Sequence, residues 1–394
     1  MNRKEFLKLS AILGIGMPMQ ASLLSSGEDE PAAGNIDSVI IIGAGAAGLT
    51  AGYLLKQQGI SYSILEATGT YGGRMKRTTD FANFPIPLGA EWMETPTSEF
   101  NRIINDASVK VNINTIPYQP SDTYFTWNGK RLTRSTIGGS STGSTYTDLK
   151  FINATWFDFY EQYVVPSVRA NIQFNSIVES VDYSGEQVTV NLRGGQHQTA
   201  DRVIFTAPLK QVQKGNISFN PPLPSRKQEA IDKTTVWDGI KVFFEFKEKF
   251  YPTFLEFDVR PEKAGERLYY DAAYGQNTSQ HILGFFSVGT PSLYYTSRDG
   301  DALRDFMLAE LDQILDSQAT PNYIKHTVQN WVKEPFQGGA YVNDHESWRR
   351  VRRLSEHIDY KVYFAGEAYT DGEDWGSVHN AAQSARNAVE AMVG

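Results

Sequence analysis

The 394-residue sequence contains no cysteine. That excludes disulfides, thiolate metal sites, cysteine nucleophiles and any cofactor tethered through sulfur. Histidine is scarce, and His197, His281, His326, His345, His357 and His379 follow no metal-ligand spacing, so they are read as surface or satisfied polar residues and no metal is expected. No run of roughly 18 apolar residues marks a membrane-spanning helix, and no stable membrane insertion is expected. Positive charge is also in short supply. With 37 Lys+Arg against 45 Asp+Glu the formal charge is −8, which gives no reason to expect nucleic acid or an acidic membrane surface as a partner.

What is present suits a large globular protein. The length allows two or more domains, and a hydrophobic content of 41% is enough to build their cores. The N-terminus is laid out like a signal peptide: a basic start at Arg3, Lys4 and Lys8, a mostly apolar Leu9 to Met19, then a polar, glycine-containing stretch to residue 34. Arg3-Lys4-x-Phe6-Leu7-Lys8 looks like a twin-arginine signal with lysine in second place, which implies export, in a bacterium to the periplasm. The alternative is a short N-terminal helix on a cytoplasmic protein.

The most informative stretch runs from Ser38 to Lys56. Val39 to Ile42 are consecutive and apolar, as in a strand buried on both faces of a parallel sheet. Gly43-x-Gly45-x-x-Gly48 follows and opens a helix. The first glycine permits a tight turn, the second lets the backbone approach a pyrophosphate, and the third lets helix and strand pack closely. Ser61 to Glu66 reads as the second strand, and Glu66 lies 18 residues beyond Gly48, where the acid that binds a ribose hydroxyl is expected. On its own this pattern specifies some dinucleotide. In the loop Gly69-Thr-Tyr-Gly72-Gly73-Arg74, two glycines present an arginine whose fork could hold a pyrophosphate; a turn with a solvated arginine is the plain alternative.

Taken together, the glycine motif, the strand ending in Glu66 and Gly72-Gly73-Arg74 resemble the FAD-binding start of the flavin-containing amine oxidase superfamily, which includes monoamine and polyamine oxidases, L-amino-acid oxidases and phytoene desaturases. The resemblance implies FAD contacts at Gly43, Gly45, Ala47, Gly48, Glu66, Gly73 and Arg74. Leu88-Gly89-Ala90-Glu91-Trp92-Met93-Glu94 is similar to the segment that passes beside the flavin, implying contacts at Gly89, Ala90, Glu91 and Trp92. L-amino-acid oxidases tend to carry an arginine in this turn. Trp92 and Glu94 stand here instead, which favours a cationic amine over an amino acid, although Trp92 also reads as a packing residue and Glu94 as a helix-entry acid.

Residues 101–173 resemble the family least. Val109 to Thr115 and Tyr124 to Arg131 alternate as strands, with a hinge at Asn128-Gly129. Ile137 to Thr145 is a low-complexity loop, and Phe151 to Val165 reads as one aromatic helix ending near Pro166. A shortened cover over the active site is the implication.

The resemblance resumes at residue 172. Val178 matches the position whose backbone meets the adenine end of FAD, and Lys241 matches a strand lysine that bonds through water to flavin N5. Buried beside a flavin, such a lysine would have its charged form disfavoured and could shuttle protons; a solvent-facing lysine on an edge strand is the alternative. Gly300 to Leu315 reads as a helix whose stripe of Leu303, Phe306, Met307, Leu311 and Leu315 belongs to the core. Trp331 to Tyr341 is similar to the family's W-x-x-x-P-x-x-x-G-x-Y stretch, implying a cofactor contact at Trp331 and an aromatic wall at Tyr341, for which packing is again the alternative. Ala340 stands where monoamine oxidases carry their flavin-binding cysteine, so FAD is expected to be held non-covalently. Phe364-Ala365-Gly366-Glu367 and the helix after Ser377 form the closing unit, implying contacts at Gly366, Glu367 and Val378. Ser377 stands in place of the second cage tyrosine of monoamine oxidases, as in polyamine-type members, and Asn380 in place of the usual glycine.

The expected fold is α/β, with a Rossmann-like FAD-binding domain from residues 35–93, 170–210 and 325–394 and a mixed-sheet α+β substrate domain from 94–169 and 211–324. By resemblance the reaction is oxidation of a polyamine or other amine, with Lys241, Tyr341 and Glu94 at the reacting centre, FAD as cofactor and oxygen reduced to hydrogen peroxide. The alternatives are a desaturase or isomerase on the same scaffold, a non-catalytic FAD-bound module, and an NAD protein, the last in conflict with Gly73-Arg74 and the Phe364–Glu367 turn.

Overall fold

The computed structural model describes residues 36–119, 121–135, 148–257 and 265–394. The leader of residues 1–34 and the loop of residues 137–145 lie outside the described residues. Five strands form a parallel sheet in the order Ile172–Gln173, Ser61–Leu65, Ser38–Ile42, Arg202–Phe205, Val362–Phe364. The consecutive apolar residues of the central strand divide between its faces, as strand geometry requires. Val39 and Ile41 meet the helices Ala46–Gln57 and Val378–Val393 on one side. Ile40 and Ile42 meet a four-stranded sheet, in which Val178–Asp182 and Val188–Leu192 are central, on the other.

Two stretches expected in the substrate domain pack into these cores. Phe100, Ile103, Trp156, Phe159 and Tyr160 join the helical side of the parallel sheet, and Val212, Ala230 and Ile231 join the opposite side. The burial of their apolar faces, rather than chain order, decides where they belong.

A seven-stranded sheet runs Tyr323–Asn330, Gly239–Phe246, His281–Gly289, Gly265–Asp271, Phe254–Phe257, Tyr124–Trp127, Leu132–Ser135. All its pairings are antiparallel except Phe254–Phe257 with Tyr124–Trp127. Strand Tyr323–Asn330 therefore stays with this sheet, and the returning segment expected from 325 leaves it only after Asn330. Helix Gly300–Ile314 covers one face, burying Leu303, Met307 and Leu311 against Ile240, Val242 and Phe244. Period-2 alternation then turns Lys241 and Phe243 to the opposite face. Lys241 sits on the second strand of the sheet and is 3% exposed, so it is not an edge lysine pointing to solvent.

Two local expectations are corrected. Phe151 to Val165 is not one helix. Leu149–Ile152 is a strand paired with Trp92–Met93 and Asn114–Pro117, and helix Trp156–Tyr163 starts only after Asn153 takes a left-handed φ of 49° and Thr155 caps Asp158 N–H. The strand expected from Val109 begins at Asn114. The hairpin at Asn128-Gly129 forms as expected, with Asn128 Oδ1 accepting from the N–H groups of Lys130 and Arg131.

The closeness of strand and helix at the glycine motif rests on Gly48, where an added Cβ would lie 1.9 Å from Gly43 O. Gly48→Ala is accordingly predicted to force the helix off the strand and to cost about 1–3 kcal/mol. Chemical denaturation of variant and parent measures this, and equal midpoints would refute it.

Candidate active site

Between the parallel and the seven-stranded sheets lies one cavity of about 1450 Å³. It exceeds the roughly 300–1,000 Å³ of an ordinary small-ligand site, so a long cofactor and a second molecule can share it. Every residue singled out above as a site candidate lines it except Gly48, whose place is the helix–strand contact. Gly43, Gly45, Ala47, Glu66, Gly73, Arg74 and Val178 are brought to the same space as Gly366, Glu367 and Val378, although hundreds of residues separate them. Gly89, Ala90, Glu91, Trp92, Glu94, Lys241, Trp331 and Tyr341 complete the wall.

At the glycine motif, Gly45 caps helix Ala46–Gln57 with no side-chain hydrogen bond, and the first turn carries no acid. Its free N–H groups and positive dipole end make an anion site. A Cβ at Gly45 would meet nothing within 4 Å, so the approach is open. Glu66 is pinned beside it: Oε2 accepts Ala44 N–H at 2.8 Å, and Oε1 accepts the N–H and hydroxyl of Thr68 at 2.9 and 2.7 Å. Arg74 is less free than the sequence suggests. Its Nη1 donates to Glu367 Oε1 at 2.8 Å and to Ala340 O at 2.5 Å, and the residue lines the cavity.

The other part of the wall is dominated by a buried charge cluster. Glu91 accepts from Lys150 Nζ at 2.6 Å on Oε1, and from Lys241 Nζ at 2.6 Å and Tyr270 OH at 2.7 Å on Oε2. Lys241 also donates to Pro87 O at 3.2 Å. The Glu91 carboxylate is thus directed at two lysines and a phenol, while the residue itself lines the cavity. Burial opposes its charge, but Lys150 and Lys241 outweigh that and hold its carboxyl at about 2. Lys241 lies below the ordinary lysine value because burial disfavours its ammonium; Glu91 resists that shift and Lys150 adds to it.

Around the cluster stands an aromatic shell. Trp92 packs on Tyr270 and Phe286 and donates its indole N–H to Tyr118 OH at 3.0 Å. Trp331 donates to Leu88 O. Tyr341 stacks edge-on against Trp237, and burial, then Glu266, Asp344, Glu94 and Glu367, push its phenol well above the ordinary value, so it stays protonated.

Several wall residues had not been foreseen. Behind the wall, Tyr270 and Lys150, the unforeseen partners of Glu91, carry no motif. His379 lines the cavity with Ser377 Oγ as a partner, so it is not merely a surface histidine. Thr95 also lines it, next to Glu94 in sequence, and its hydroxyl is buried without a hydrogen-bond partner.

The comparisons with known proteins agree with this geometry. The family model described as flavin containing amine oxidoreductase matches residues 161–393, and an NAD(P)-binding Rossmann-like domain matches residues 41–107. The chain belongs to the flavin-containing amine oxidoreductase family. Among curated relatives, mouse lysine-specific histone demethylase 1B is 28% identical over 204 residues, 50% of this chain and 25% of its own. Polyamine oxidase 2 of Arabidopsis thaliana is 28% identical over 53% of this chain and 41% of its own. The chain thus spans less than half the length of these relatives. Polyamine oxidase 7 of rice is 26% identical over 87% of this chain and 92% of its own. A solved putrescine oxidase bound to putrescine has the same fold, with a TM-score of 0.72 at 15% identity, covering 91% of this chain and 99% of that one.

FAD is the cofactor of a flavin amine oxidoreductase, and the residues fit it. The uncapped helix start and open approach at Gly45 suit a pyrophosphate. Glu66 keeps acceptor capacity for a ribose, and the orphaned Thr95 hydroxyl awaits a polar partner.

The cluster itself generates a prediction. Because the Glu91 carboxyl is held below its usual 4.5, its stabilisation is complete above that pH and is lost as pH falls from about 4.5 towards about 2. Glu91→Gln leaves two buried lysines without a counter-charge and should cost about 3–5 kcal/mol near neutrality. The gap between variant and parent should close as the pH is lowered through that window. Denaturation midpoints measured across pH check both, and a gap that does not depend on pH would contradict the assignment.

Proposed function

We propose that the protein is an FAD-dependent oxidoreductase that converts a primary or secondary amine, a polyamine or diamine above all, to the imine and thence the aldehyde, passing the electrons to oxygen as hydrogen peroxide. The observation that carries this reading is Lys241, a buried lysine of weakened basicity on the cavity wall, in the same cavity as a tyrosine face surrounded by carboxylates. Bound FAD would supply the acceptor for a hydride, which carries both electrons of the oxidation. The chain supplies the rest. Glu94, Glu266 and Asp344, whose fields all reach Tyr341, favour a cationic substrate in this part of the wall. The Tyr341 ring offers a π-face along which an amine can lie. Oxidation needs the nitrogen neutral, so a proton must leave, and Lys241 in its neutral form is the base to take it, directly or through water. The names of the relatives, polyamine oxidases and a putrescine-bound oxidase, support the same substrate class.

We also infer export of the folded holoprotein, supported by the signal-like Arg3–Lys8 start.

Anaerobic mixing of the flavoprotein with putrescine, longer polyamines, aryl-alkyl amines, amino acids and polyenes tests the function. The flavin should bleach with diamines or polyamines, and Lys241→Met should slow that bleaching by at least about 100-fold. Bleaching by amino acids alone, or by polyenes alone, would overturn the reading in favour of another substrate class.

A further inference from the structure

Two ammonium groups share one carboxylate in the cluster, and only one of them has a place on the cavity wall. Lys150, from strand Leu149–Ile152, and Lys241, from strand Gly239–Phe246, each stand 2.6 Å from a different oxygen of Glu91. All three side chains are buried, at 4%, 4% and 1% exposure. With every group ionised the cluster would carry one uncompensated positive charge in a desolvated site, which is strongly disfavoured unless a proton leaves. Lys241 lines the cavity and Lys150 does not. The route for that proton is therefore through Lys241.

We propose that Lys150 is a positioning residue: by sharing the Glu91 carboxylate it holds Lys241 at the cavity wall and governs whether Lys241 carries a proton. Lys150 fixes Oε1, so Oε2 is left to Lys241 and Tyr270 in a set orientation. Its charge then opposes a second ammonium on the same carboxylate. The other groups facing Lys241 are the Pro87 carbonyl and the rings of Trp92, Phe243 and Tyr270, none of which carries a charge. Tyr118 reaches the site through the Trp92 indole, and Asp271 is paired with Lys249. Glu91 and Lys150 are the charges whose fields act on Lys241.

The proposal rests on the FAD-dependent reading of the cavity, and its test needs no substrate. A charge appearing or vanishing on the cavity wall perturbs the absorption of bound flavin, so titrating the visible spectrum of the full-length holoprotein gives a midpoint for the lysine. In Lys150→Met and Lys150→Gln the competing charge is gone, and the midpoint should rise by about one pH unit or more. The acid limb of the kcat/KM profile for an amine should move with it. Lys150→Gln keeps a donor for Glu91 Oε1, so it serves where Lys150→Met does not fold. Lys150→Arg retains the charge and should keep the parent midpoint. A midpoint unmoved in the Met and Gln variants, or a parent spectrum that does not titrate, overturns the proposal. A spectral midpoint that moves in a protein no amine can reduce would uphold the role of Lys150 while rejecting the amine reading. Amine turnover with an unmoved midpoint would do the reverse.

Discussion

One buried carboxylate ties the cofactor-side turn and a small sheet to the seven-stranded sheet. Glu91 follows the cofactor-side turn at Gly89-Ala90, Lys150 comes from a three-stranded sheet, and Lys241 and Tyr270 come from the seven-stranded sheet. Desolvating three charged groups is costly, and an apolar cluster of the same volume would give equal or greater stability. A site held together this way is therefore better explained by what it orients than by what it stabilises. It orients Lys241, and it sets that lysine among aromatic rings that keep bulk water away.

The cofactor side is organised on the opposite principle. There the chain leaves groups unsatisfied. The helix after Gly45 has no side-chain cap and no acid in its first turn. Arg74 and Glu367, brought together from 293 positions apart, neutralise each other at the wall and close the gap between the two ends of the sequence. A wall with open backbone donors at one place and a saturated charge cluster at another suits a long cofactor whose anionic and reacting ends need different surroundings.

Much of this was legible in the sequence because it is local. Val39 to Ile42 had to be a doubly buried strand, and both faces are covered. Gly43 to Gly48 had to open a helix at an anion site, and the helix begins uncapped at Ala46. Lys241 could be placed because its register is carried by a recognisable strand. What was not legible depends on distance along the chain. Lys150 and Tyr270 meet Glu91 across 59 and 179 positions, and no spacing rule spans such separations. The stretch bearing Lys150 was further obscured by its aromatic content, which reads as helix; the left-handed Asn153 and the cap at Thr155 divide it into a strand and a helix. Where a segment packs is equally non-local: the apolar face of helix Trp156–Tyr163 is buried on the helical side of the parallel sheet.

The central claim is that this cavity removes hydride from the carbon beside an amine nitrogen. Single-turnover reduction of the bound flavin by a diamine carrying deuterium on that carbon tests it most directly. The account predicts that bleaching with the deuterated diamine is slower than with the ordinary one. Equal rates under conditions where chemistry limits the reaction, or no bleaching by either, would contradict it.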